Sequence, residues 1–199
     1  MTSAEQPAAV RAARAVEEAG GLDGTVNLLG DAFDALVGRR PALTATLQGT
    51  QLGHSLHPLL TDLPIGLWTA SAALDLVGGP SSRAAADRLL GLGLLAVAPT
   101  ALSGWADWSA SGTRVRRVGV VHAALNSGAA VLFGASWLLR RAGHRGAGVA
   151  VAMVANLVVT GGGYLGGHMV YRLGAPTGGP MATRHPAQEV VPRAPLRAA

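Results

Sequence analysis

Four long apolar segments dominate the chain, at about 58–78, 89–105, 118–139 and 147–171. Each approaches the roughly 20 residues that a helix needs to cross a hydrocarbon core of about 30 Å. The third contains no ionisable residue except His122, and the fourth none except His168. Composition agrees with immersion in lipid: 49% of the 199 residues are hydrophobic and only 14% charged, against about 25% charged in soluble domains. A soluble helical bundle built from four such spans would be left with too little polar surface. Glycine recurs inside the spans, notably at Gly161–Gly163, Gly166 and Gly167, as close helix packing in lipid requires.

The intervening segments read as three tight turns: Gly78-Gly79-Pro80 with Arg83, Asp87 and Arg88; Ser109 to Arg117; and Arg140, Arg141 and Arg145 around Gly143. The expected fold is therefore all-α, an integral membrane antiparallel four-helix bundle. Residues 1–50 form an N-terminal arm, in which the apolar positions Leu28, Leu29, Phe33, Leu36 and Val37 predict a short amphipathic helix, on the membrane or on the bundle. Residues 51–174 form the transmembrane domain. The Pro- and Gly-rich stretch from 175 to 199 reads as a disordered tail. The first 24 residues lack the apolar core of a signal peptide.

With no cysteine, disulfides, cysteine-ligated metals and cysteine nucleophiles are excluded within this chain. All 16 basic residues are arginine, scattered between apolar runs without interleaved aromatics, a pattern that fits membrane flanks and gives no support to nucleic-acid binding. No G-x-S-x-G or H-E-x-x-H motif marks a hydrolase.

Parity of the crossings places the start of span one, the end of span two, the start of span three and the end of span four on one side. His54, His57, Asp62, Trp105, Asp107, Arg117, His122, Asn126, Tyr164 and His168 therefore share one leaflet. His122 lies five residues inside Arg117 and His168 four inside Arg172, so at 1.5 Å per residue they share a level. Asn126 is one turn from His122 on the same face, and Asp62 is a candidate charge partner. Ionisable groups at membrane depth are costly and usually face the bundle interior, so a site is expected where Asp62, His122, Asn126 and His168 converge, with His57 near. At the opposite end, Asp75 reads as a satisfied interfacial carboxylate.

Gly53-His54-Ser55-Leu56-His57-Pro58, Asp62-Leu63-Pro64-Ile65-Gly66-Leu67-Trp68, Asp75-Leu76, Ser103-Gly104-Trp105-Ala106-Asp107-Trp108, Arg117 with His122 and Asn126, and Gly162 to Tyr171 resemble, in order, a bacterial four-helix membrane family, domain of unknown function 2231. Ser55 stands where that family often has proline. The resemblance implies a multi-pass protein of the bacterial inner membrane. Some relatives carry a C-terminal Rieske iron–sulfur domain, which implies a Rieske-type or other redox partner beside the histidine cluster.

Three function classes follow. A redox-associated subunit would hold haem b on His122 and His168, with the Gly161–Gly167 stretch leaving room for the macrocycle. Alternatively, His57, His122, His168 and Asp62 would bind a non-haem metal ion. A proton- or solute-handling network, or a cofactor-free scaffold, completes the set. The lipid bilayer is the expected partner, a homo-oligomer is compatible with the chain, and a slight arginine excess on the terminal side points to cytoplasmic termini.

Overall fold

The computed structural model describes residues 6–175, and among these all regular structure is helical. The stretch from 176 onward, expected to be a disordered tail, lies outside the described residues. Three short helices, α1 (Ala8–Glu18), α2 (Asp23–Phe33) and α3 (Pro41–Leu47), precede four long ones: α4 (Leu56–Val77), α5 (Arg83–Ser109), α6 (Thr113–Arg141) and α7 (Arg145–Tyr171).

The helices α5, α6 and α7 are long and apolar enough to cross a membrane. The fourth expected span, α4, has 22 residues, but Asp62 and Asp75 within it dilute the hydropathy that marks the other three. Its outward surface is nonetheless apolar, with Leu59, Leu63, Leu76 and Val77 all more than half exposed. Asp75 is turned into its neighbours, whereas Asp62 lies on the exposed face near the start of the helix.

Cross-helix hydrogen bonds fix the antiparallel register. Between α4 and α5, His57 meets the Thr100 carbonyl, Trp68 Nε1 donates to Leu90 O at 3.3 Å and Ser71 Oγ to Ala86 O at 2.8 Å. Between α6 and α7, Ser136 Oγ donates to Gly148 O at 2.6 Å and His122 meets Gly162 O. Pro64 has no N–H, which leaves the Leu60 carbonyl without its helical donor. The Thr100 hydroxyl on α5 lies 3.1 Å from it and shares its one hydrogen between Leu60 O and the Ala96 carbonyl of its own helix at 2.8 Å. Pro64 thus sits within a continuous helix and becomes a cross-link between helices.

The centre is packed by Trp68, Leu90, Ala129, Phe133, Ala152 and Ala155. The Trp68 ring stacks on Phe133 with centroids 4.0 Å apart, and only a glycine at position 93 leaves room for it, because a Cβ there would lie 2.3 Å from Trp68 Nε1.

The arm packs on the bundle. Ala13 of α1 is buried against Val118 and Leu165, and Phe33 of α2 meets Trp105 edge-on at 5.7 Å. Of the stripe expected from the sequence, Phe33 and Val37 are buried against the bundle, whereas Leu28 and Leu36 point away at 67% and 61% exposure, because the packed face is narrower than the apolar one. Both described ends of the chain therefore lie at the histidine end.

Candidate functional site

Each polar cluster has its own end of the bundle. At the histidine end, His57 of α4 and His122 of α6 face one another with ring centroids 6.4 Å apart and planes at 81°. A carbonyl can only accept, so each ring is held through an Nδ1–H: His57 to Thr100 O at 2.9 Å and His122 to Gly162 O at 2.8 Å. That fixes the Nε2-unprotonated tautomer of both neutral rings. Asn126 donates to the His122 carbonyl at 2.8 Å, and its amide nitrogen lies 3.4 and 3.3 Å from the two nitrogens of the His122 ring.

Glycines make this packing feasible. A Cβ at Gly104 would lie 2.6 Å from His57 Cε1, one at Gly162 would be 2.7 Å from Asn126 Nδ2, and one at Gly166 would be 3.3 Å from His122 Cε1. Within the glycine-rich stretch of α7, Gly162 faces the Asn126 amide and Gly166 the His122 ring, while nothing lies within 4 Å of a Cβ at Gly163.

His168 takes a different partner. Its Nε2 lies 2.7 Å from Glu17 Oε1, with both side chains largely buried and Tyr164 alongside. His122 and Asn126 come together as expected, joined by His57, whereas His168 turns to the N-terminal arm. Asp62 is exposed on the outer face of α4 and makes no side-chain hydrogen bond among the described residues. Also among these residues, no three His, Asp or Glu side chains gather closely enough to hold a metal ion. Nearby, Ser55 donates to the Asp107 carboxylate.

Arg117 anchors the arm over this end. Its Nε and one terminal nitrogen each bond an Asp23 oxygen at 2.7 Å, and the other reaches Glu17 O at 3.0 Å. Arg116 adds Val26 O at 3.2 Å while lying over the Trp108 ring. The Arg117 guanidinium holds the Asp23 carboxyl below the usual carboxylate range. Glu17 and Asp23 are partners that sequence reasoning missed, since their contacts reach 151 and 94 residues along the chain.

The opposite end carries the strongest electrostatics. Arg140 and Asp75, both with no exposed side-chain surface, pair at 2.6 Å. Arg140 also meets Asp87 at 3.0 Å, and Arg145 bridges Asp75 at 2.6 Å and Asp87 at 2.9 Å. Arg140 Nε donates to Ser136 Oγ at 3.2 Å. Two carboxylates and two guanidiniums form a neutral square that ties α4 and α5 to α6 and α7. Asp75, read from sequence as a satisfied interfacial carboxylate, is satisfied here by two guanidiniums while its side chain is fully buried.

The family described as "Predicted membrane protein (DUF2231)" matches residues 53–179, the whole of α4 to α7. The chain belongs to this family. No curated protein and no solved structure matches it at significance. The match leaves the arm before residue 53, with Glu17 and Asp23, outside the matched span.

Proposed function

We propose that this membrane protein is a redox-associated subunit whose cofactor site is the His57–His122 pair. The observation that carries the reading is the meeting of two imidazoles from facing helices, each held through its Nδ1–H so that its Nε2 lone pair is left for a ligand. The main-chain carbonyl that orients each ring is the usual outer support of a ligating histidine. Imidazole donors suit copper, iron or zinc, and a two-imidazole set leaves positions open for solvent or substrate. Bound there, copper or iron supplies one-electron chemistry. The protein's part is to fix the tautomers through Thr100 and Gly162 and to exclude bulk water with the arm. Haem b on His122 and His168 fits less well, because Asn126 and His122 lie against Gly162 and Gly166 and His168 is engaged by Glu17. We place the domain in the bacterial inner membrane with cytoplasmic termini and a soluble redox protein as partner.

Metal analysis and an absorption spectrum of detergent-purified protein from its native host test this. About one equivalent of copper or iron is expected, falling at least tenfold in His57→Ala and in His122→Ala but not in His168→Ala. A colourless, metal-free protein would overturn the reading, and a low-spin b-type spectrum abolished by His168→Ala would replace it with haem. A proton-handling role is the second reading, favoured by the buried Glu17–His168 contact at 2.7 Å, where carboxylate and imidazole share a hydrogen.

A further inference from the structure

The end remote from the histidines contains a cavity of about 410 Å³. Leu74 and Val149 form its apolar walls, the Gly79–Pro80 turn its rim, and Asp75, Arg83 and Arg145 its polar lining. The turn is shaped by Gly79, whose φ of 67° and ψ of −171° belong to a region essentially restricted to glycine. Asp75 directs both oxygens into Arg140 and Arg145, so its negative charge is spent within the neutral square. The surplus on the cavity wall is Arg83, which makes no ion pair among the described residues. Arg145 is held by Asp75 and Asp87 and is still 24% exposed.

A guanidinium fork over a partly apolar recess at the level of a membrane surface is complementary to phosphate. Basic pockets between transmembrane helices hold anionic headgroups in this way. We infer that the cavity between α4, α5 and α7 binds a phosphate group, with Arg83 as its principal ligand and Arg145 as a second guanidinium fixed in place by Asp75 and Asp87. The phosphate comes either from an anionic phospholipid headgroup or from a soluble phosphate.

Thermal unfolding of the full chain in neutral detergent tests the inference. Phosphatidylglycerol, phosphatidylcholine and inorganic phosphate are titrated separately, the last against chloride at matched ionic strength. A saturable rise in Tm with phosphatidylglycerol, absent with phosphatidylcholine, is expected. Its apparent affinity falls about tenfold in Arg83→Gln, the loss of one charge-assisted contact, and is unchanged in Arg88→Gln, which removes an equal charge from the same helix outside the cavity. A matching rise with inorganic phosphate alone supports the site and assigns it to a soluble ligand. Equal stabilisation by phosphatidylcholine, equal loss in both variants, or no saturable rise with either anion would overturn it.

Discussion

Arg140 illustrates how a single side chain changes meaning between sequence and structure. Along the chain it is one of several arginines at a helix end, the position where a cation normally snorkels to water. In the fold it has no exposed side-chain surface, and its fork is spent on Asp75, Asp87 and Ser136. Replacing a buried charge pair with apolar groups is often neutral, but removing one partner strands the other. Arg140→Leu leaves Asp75 buried with only the half-solvated Arg145, and a loss of about 3 kcal/mol is expected. Thermal unfolding in detergent reads it as a lowered Tm, and adding Asp75→Asn recovers part of the loss. An unchanged Tm in the single variant would show that the square contributes nothing to stability.

At the level of elements, the arm is held to the bundle by charge as much as by packing. Because Arg117 depresses the Asp23 carboxyl, the ionised form is favoured in the docked state. The contribution of this pair is complete above the unfolded aspartate value of about 3.9 and is lost as pH falls through the lower docked value. Trypsin cleavage after Arg11 and Arg14 is expected to accelerate a few-fold in Asp23→Asn at neutral pH, as is usual when an exposed ion pair is lost. Below pH 4, an acid-active protease should show the wild type losing the same protection. Equal cleavage of both chains at neutral pH would show that α1 docks without Asp23.

The elements also show what could be read in advance. Helices α5, α6 and α7 were legible because a long apolar run has one stable solution in lipid. The amphipathic stripe through Phe33 and Val37 was legible as a helix but not as a contact, since periodicity does not say which surface it meets. Depth could be counted from Arg117 and Arg172, and it put His122 and His168 at one level. It could not say that His122 turns toward His57 and His168 toward Glu17, because the angle around each helix axis is set by packing partners 40 to 151 residues distant. The ionic square was hidden for the same reason, its members lying 53 to 70 residues apart.

As a whole the molecule is two helical hairpins with chemically unlike ends. One is closed by a neutral ionic square, and the other collects imidazoles and carboxylates beneath a helical cap. Since α7 ends and the arm packs at the same end, reporters fused after Ala175 and inserted at Gly143 should lie in opposite compartments. Gly143 is the natural insertion point, an exposed turn residue at φ 86°. Identical readings would rule out an α6–α7 hairpin that crosses the bilayer.

The contact between Glu17 and His168 joins the first described helix to the last. A ribosome delivers the chain from its N-terminus, so α1 emerges before any of its docking surface exists. Glu17 has no imidazole to meet until α7 has entered the bilayer, and Asp23 has no guanidinium until α6 has. The same helix that brings His168 also brings Gly162, which holds the His122 ring. A docked arm thus reports that α6 and α7 are both in place beneath it.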